Sequence, residues 1–323
     1  MHVDPSMDGV LIKGDKPIPG ASTALQLLQD RQIPWILMTN GGGISEESRA
    51  ERLTSQLQLP IDVEQIVQSH TPLRSLPGKE EQTVLVIGGV ADLSRKVGQG
   101  YGFGKVLIPA DYVKTNPSIW PFHSKECLEF GQVIDRLEDV KIDNILVFND
   151  PRDLGTDVQV ISDVLHKDPS THVIFSNDDW LWANEYHLPR YGQGVTRFFI
   201  ESLYKRNHGK ELNRTVLGKP TKIAYDYAHS ILINRSIQIS GTGGPLRVAK
   251  LGESITQSPL KSVYMIGDNP ASDIIGGFNY GFETGLVRTG VYRDGDVLPC
   301  KPTVIGDDVL SVVTQALKNM GLY

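Results

Sequence analysis

Cysteine is nearly absent from this chain. Cys127 and Cys300 are its two among 323 residues. Two thiols so far apart exclude a disulfide framework or a metal knuckle. A pair of buried free thiols is expected rather than a long-range bridge. The eight histidines, His70, His172 and His229 among them, lack zinc-type pairing and read as structural or exposed. Positive charge is not in excess: 32 Lys and Arg face 38 Asp and Glu, a net charge of −6. That argues against a dedicated nucleic-acid binder, which carries a basic stripe. No apolar run approaches the length needed to span a bilayer. No internal repeat appears at solenoid periods. The first residues show neither a signal peptide nor an Arg-rich presequence, so the residues alone point to the cytoplasm. What is present is ordinary for a globular chain, 40% hydrophobic and 22% charged, with length enough for two domains.

The most informative stretch is VYMIGDNPASDIIGG, residues 263–277. Val263 to Ile266 reads as a buried strand that stops at Gly267. Asp268 and Asp273 follow it, at the strand's carboxyl end, where open α/β sheets bind ligands. Two carboxylates there suit a hard cation such as Mg²⁺. A surface loop, with Asp268 capping the next helix and Asp273 solvated, accounts for this stretch equally well.

Upstream, the short segment ahead of Asp8-Gly9 has little room for a strand, and Pro5 cannot donate to a ladder. Pro17 to Gln29 reads as a turn and a helix capped by Ser22 or Thr23. Ile33 to Met38 is a buried strand ending at Thr39, followed by Asn40, Gly41 to Gly43, and a helix opened by Ser45. A hydroxyl, a glycine loop and a helix start can cradle phosphate, although the glycines alone are explained by a tight turn. Residues 72–80 look like a linker. Strands are expected at Thr83 to Ile87, Asn144 to Phe148 and His172 to Phe175, with helices at Val158 to Leu165 and Val195 to Tyr204. This alternation makes the middle its own α/β unit with a largely parallel or mixed sheet. Residues 111–130 show no clear period. Trp180 and Trp182 could line a pocket of this unit, with packing beneath it the stronger expectation, and Pro189 to Gly194 is expected to form a glycine loop. Lys219 sits between Gly218 and Pro220, a fixed turn able to hold an ammonium. A helix over Thr221 to Asn234, a polar loop over 236–260, a last strand at Glu283 to Val287 and a helix over Val309 to Met320 complete the chain. A dinucleotide site is set aside, because residues 88–104 lack the G-x-G-x-x-G spacing after their strand.

Acid, hydroxyl, cation and acid pair thus stand in a fixed order: Asp8, Thr39, Lys219, then Asp268 with Asp273. Phosphoryl transfer needs such a set. A carboxylate can form an acyl-phosphate, while a lysine and Mg²⁺ neutralise charge on the transferring oxygens. A second acid can protonate the leaving alkoxide. In DGVLIKG (8–14), ILMTNGGG (36–43), LGKPTK (217–222) and MIGDNPASDIIGG (265–277), the chain resembles the haloacid dehalogenase superfamily. The insertion resembles the C2-type α/β cap of subfamily IIA. The segments QSHTPLRSL, VFNDPRD, FSNDDWLWAN and RYGQG are similar to the fungal and animal mitochondrial group related to the cat eye syndrome critical region protein. The likeness covers nearly the whole chain.

The resemblance implies a Rossmann-like core over 1–79 and 213–323, interrupted by a cap over 80–212. It implies Mg²⁺-dependent hydrolysis of a small phosphorylated metabolite through an aspartyl-phosphate. Thr39, Asn40 and Gly41 would bind phosphate, and Lys219 would stabilise charge. Asp8 would be the general acid and base. Asp268 would hold Mg²⁺ with Asp8, and Asp273 would support the metal or orient Lys219. Asn177, Asp178, Arg190 and Gly192 to Gly194 would face the substrate. Mitochondrial location and a homodimer paired through the cap follow from the same likeness.

One departure weighs against turnover. The family's first motif is Asp-x-Asp-Gly, and its first Asp is the nucleophile; here Ser6-Met7-Asp8-Gly9 stands instead. A serine hydroxyl attacks weakly without a base. Asp4 lies two residues, roughly 7 Å, further back along an extended segment and is a poor substitute. Two accounts fit. In the first, which is preferred, a misassigned first exon hides the true strand and nucleophile. In the second, the protein is a pseudoenzyme that holds a phosphorylated ligand or a partner.

Overall fold

The computed structural model describes residues 3–323 except 6, 8, 183–185, 187, 189, 242 and 243, with backbone alone for 3–5 and 126. Two parallel sheets organise it. The first joins Val3–Pro5, Tyr264–Gly267, Glu283–Val287 and Val304–Gly306 in that order, every pairing parallel. A parallel pair, Leu37–Thr39 with Ile66–Gln68, lies beside Val3–Pro5. The strand before Asp8 is therefore present but only three residues long. Pro5 pairs opposite Ile266.

Helices cover both faces of this core. Ala21–Asp30 and Val309–Asn319 pack Leu25, Leu28, Val312, Val313 and Leu317 on one side. Lys222–Ser240 packs Tyr225, Ala228 and Leu232 on the other. Each such leucine, fully buried, contributes on the order of 2 kcal/mol. The helix at Ala21 does not use Ser22 or Thr23 as its cap. Gly20, at φ +84°, precedes it, and the Ser22 hydroxyl instead donates to Leu57 O at 2.7 Å. Ser45 does cap Glu46–Leu57, accepting from Ser48 N. Thr221 likewise accepts from Ala224 N at the head of Lys222–Ser240.

The inserted region builds a five-stranded sheet in the order Arg214–Val216, His172–Phe175, Asn144–Val147, Thr83–Ile87 and Lys105–Leu107, parallel throughout. Leu154–Lys167 and Gln193–His208 pack Val160, Ile161, Ile200 and Tyr204 on one face. Leu93–Gly100 packs Val97 on the other. Residues 111–130, aperiodic as sequence, contain the end of helix Pro109–Thr115 and the helix Lys125–Phe130. Where a glycine loop was expected over 189–194, the described residues 190–194 form a strand and a helix start. Arg190–Tyr191 pairs antiparallel with Leu181–Trp182, and the helix begins at Gln193. Trp180 and Trp182 are not packed under the unit but lie about half exposed. Cys127 and Cys300 are free thiols, partly rather than fully buried. No helix among the described residues is long and apolar enough to cross a membrane.

Candidate active site

The carboxyl ends of the core strands open onto a cleft of about 690 Å³ whose far wall is the carboxyl edge of the inserted sheet. Thr39, Asn40, Lys219, Asp268 and Asp273 all line it. The site is built around Lys219, whose side chain is 2% exposed. Its Nζ donates to Asp273 Oδ1 at 2.6 Å and to Met38 O at 3.1 Å. Asn40 holds the lysine's backbone from both sides: Oδ1 accepts from Lys219 N at 2.8 Å, and Nδ2 donates to Lys219 O at 3.0 Å. Residues 179 positions apart in sequence are thereby locked at one point. The Lys219-Pro220 peptide is cis.

Asp273 is 1% exposed, not a solvated loop residue. Its Oδ2 accepts from Asp268 N at 3.1 Å and Asn269 N at 3.0 Å. Asn269, rather than Asp268, caps the following turn by accepting from Ala271 N. Gly267 is required here by contact, since a Cβ would fall 2.2 Å from the Asp273 carboxyl. Asp268 is 4% exposed, and its Oδ2 accepts from Val291 N at 2.8 Å. Burial, then the neighbouring Asp273 charge, pushes the Asp268 carboxyl well above the usual range.

Ser6 and Asp8 lie outside the described residues. Their neighbours are placed. Met7 is fully buried, and Gly9 abuts Asp268 so closely that a Cβ would lie 2.4 Å from its Oδ2. The backbone after Asp8 thus meets the late acidic loop. Thr39, 4% exposed, accepts from Gly41 N at 3.0 Å, which curls the loop over the strand tip.

The inserted region reaches this loop directly. Asn177 Nδ2 donates to Asn40 O at 2.8 Å, and Asn149 Nδ2 donates to Gly42 O at 3.0 Å. Arg190, Gly192 and Gln193 line the cleft. Asp178 does not; Arg197 takes both its oxygens at 2.7 and 2.8 Å. The carboxylates that the inserted region brings to the cleft are Asp179 and Asp150, neither of them a candidate from sequence. The signal was there: parallel strands ending in Asn-Asp, at 149–150 and 177–179, deliver side chains to a ligand face. One Asp150 oxygen, Oδ1, is buried with no hydrogen-bond partner among the described residues. Burial raises Asp179 to about 7, against the opposing pull of Lys219 and Asn40. Because this folded value exceeds the unfolded one, the carboxyl favours the fold at low pH, and that contribution fades as pH climbs from 4 through 7. Without divalent metal, Asp179→Asn should therefore raise the melting temperature at pH 8 and change it little at pH 4.5. Equal shifts at both pH values would contradict this.

The donor set fits a divalent cation. A buried carboxylate pushed upward by a second acid is the environment a hard cation relieves. Among the described residues no three acids, histidines or cysteines gather as a ligand set; both Asp273 oxygens are engaged by Lys219 Nζ and by the Asp268 and Asn269 amides, which leaves Asp268 as the described acid that could hold Mg²⁺.

Residues 6–103 match the haloacid dehalogenase-like hydrolase model, and residues 216–312 match a second model of the hydrolase-like type. A mitochondrial hydrolase of Saccharomyces cerevisiae is 44% identical over 97% of this chain and 94% of its own length. The chain therefore belongs to the haloacid dehalogenase-like hydrolases. It is also 35% identical, over 97% of its length, to a cardiolipin synthase/mitochondrial hydrolase fusion protein of Schizosaccharomyces pombe, of which it spans about half, 52%. In fold it matches a p-nitrophenyl phosphatase from Archaeoglobus fulgidus, with a TM-score of 0.63 and 18% identity over 97% and 98% of the two chains. A magnesium-bound glycerol phosphate phosphatase from Mycobacterium tuberculosis matches with a TM-score of 0.61 and 17% identity over 96% of this chain and 76% of that one.

Proposed function

We propose that this scaffold binds the phosphate of a small phosphorylated metabolite together with Mg²⁺, and that it is built to hydrolyse the ester through an aspartyl-phosphate. The observation that carries the reading is the buried Lys219 ammonium, fixed by Asp273 and Met38 O beside the Thr39 loop. A cation held there has an anion as its natural ligand. Thr39, Asn40 and Gly41 take the phosphate oxygens, Lys219 offsets their charge, and Asp273 keeps the lysine aimed. Mg²⁺ when bound would neutralise further phosphate charge, with Asp268 and Asp8 as its protein ligands. Asp8 moves the proton to the leaving oxygen. The inserted region over 80–212 acts as a C2-type cap of subfamily IIA, with strand Arg214–Val216 joined to its sheet. Asp150 and Asp179 accept hydrogen bonds from the leaving group, which supports a phosphorylated alcohol as substrate. The fusion of a relative to a cardiolipin synthase is consistent with such an alcohol. Mitochondrial location and pairing of two copies through the cap belong to the same reading.

Ser6 favours a second reading for the chain as it stands, a pseudoenzyme that binds the phosphorylated ligand without turning it over. Both readings require phosphate binding. Calorimetric titration of the unsubstituted chain with inorganic phosphate should give saturable binding that Mg²⁺ tightens about tenfold or more. No binding at millimolar phosphate, with or without Mg²⁺, would refute both.

A further inference from the structure

His70 takes no part in the chemistry proposed above, yet it is completely buried beside the phosphate loop. It follows strand Ile66–Gln68 and precedes the turn Thr71–Ser75. The Gly43 N–H donates to its Nε2 at 3.0 Å. A backbone amide can only donate, so Nε2 is bare and the ring proton sits on Nδ1. Nδ1 therefore donates to the Tyr101 hydroxyl, 2.7 Å away. That hydroxyl donates to Glu46 Oε1 at 2.5 Å, and the Thr71 hydroxyl donates to the same oxygen at 2.6 Å.

The direction of each bond is thus set by the one before it. Phe148 stacks on the ring at 4.8 Å and 25°. Gly42 is pressed against its edge, since a Cβ there would lie 2.6 Å from His70 Cδ2. Tyr101 and Phe148 belong to the inserted region, whereas Gly43, His70 and Glu46 belong to the core. Burial lowers His70 to about 4, so the ring stays a neutral acceptor near pH 7.

We propose that His70 is a positioning residue for phosphate binding: Nε2 fixes the Gly43 amide, and with it the Gly41 to Gly43 loop, while Nδ1 ties that loop to Tyr101 of the cap. This deepens the phosphate-binding reading and rests on it. The loop's shape then depends on where the cap sits.

Asparagine and glutamine each preserve one half of the imidazole. The amide of Asn reaches the Nδ1 position and that of Gln the Nε2 position. In calorimetry with inorganic phosphate and Mg²⁺, His70→Asn should weaken binding about tenfold, the scale of one buried hydrogen bond. His70→Gln should stay within about threefold of the parent. Amide exchange at Gly43 should accelerate in the Asn variant and not in the Gln variant. Tyr101→Phe removes the same Nδ1 contact that His70→Gln gives up, so it should likewise stay within about threefold of the parent and add nothing to His70→Gln. Unchanged affinity in His70→Asn overturns the proposal, since the loop then holds without the ring. Equal losses in Asn and Gln variants overturn it too, since the ring then only fills space. A parent chain that binds no phosphate defeats the functional reading itself and the positioning role with it, a pattern unlike either of the others.

Discussion

Ser6→Asp is expected to raise Mg²⁺-dependent hydrolysis of p-nitrophenyl phosphate by up to about six orders of magnitude, the scale on which removal of a nucleophile lowers kcat. The parent chain has every other described part of the constellation in place. Lys219 is buried and aimed, Thr39 closes the loop, and Asp268 sits against the backbone that follows Asp8. It lacks a group able to attack phosphorus at neutral pH. A serine hydroxyl holds its proton there, whereas an aspartate is already ionised. Ser6→Asn is the matched control, close in size to Asp and without charge, and should remain at the parent's rate. Steady-state kcat and trapping of an acid-stable, hydroxylamine-sensitive phosphoenzyme together test this, the second because an acyl-phosphate is the intermediate required. If Ser6→Asp stays within tenfold of the parent, the missing nucleophile is not what limits this scaffold. Robust turnover by the parent would be equally damaging to the argument.

The second large effect concerns Lys219 and Asp273, whose side chains are 2% and 1% exposed and 2.6 Å apart. Replacing both charges of a buried pair is often tolerated, but removing one strands the other in a poorly solvating interior and costs about 3–5 kcal/mol. Lys219→Met should therefore lower the free energy of unfolding by that amount and abolish phosphate binding. Asp273→Asn keeps the shape and can still accept from Asp268 N or Asn269 N, yet it removes the carboxylate charge 2.6 Å from the ammonium and should be similarly destabilised. The double variant Lys219→Met/Asp273→Asn should recover more than half of the summed loss while remaining unable to bind phosphate. Urea unfolding of the four proteins closes the cycle. Additive losses would mean that the two charges do not depend on each other.

Most of the core was legible because its signals are local. Strands Thr83–Ile87 and His172–Phe175 match the expected apolar runs end to end, and Ser45 stands at the head of the helix it was expected to open. Strand Val304–Gly306 was missed. It is three residues long, with Gly at its end, and gains its identity only by pairing with Glu283–Val287. Residues 111–130, open as irregular or partly helical, are partly helical, and their lack of a period has a related reason. Helices of six and seven residues show too few turns for a period. The order of acid, hydroxyl, cation and acid pair was visible, and the structure gathers its described members Thr39, Lys219, Asp268 and Asp273 in one cleft. What sequence could not reveal is which of two adjacent acids turns inward. Asp178 and Asp179 are chemically alike, and the choice between them is made by Arg197, nineteen positions on. The His70 network was hidden likewise, since its partners Tyr101 and Phe148 come from strands and helices of another sheet.

The insertion also sets the order in which this molecule can be completed. Every strand of the five-stranded sheet lies between residues 83 and 216, an unbroken length of chain. Val3–Pro5, by contrast, must wait for Tyr264–Gly267, the pairing separated by nearly the whole polypeptide. During synthesis the cap has all its partners before the core has its central strand. The first-made segment is therefore left holding an open edge while the middle of the chain is finished, and the long loop closure that joins the two ends comes last. Lys219 leaves the ribosome before Asp273, so its ammonium lacks that ion-pair partner until the closing step. Ion pair, phosphate loop and core sheet consequently mature as one late event, and a ribosome stalled short of residue 264 would display a finished cap on a core with no pocket.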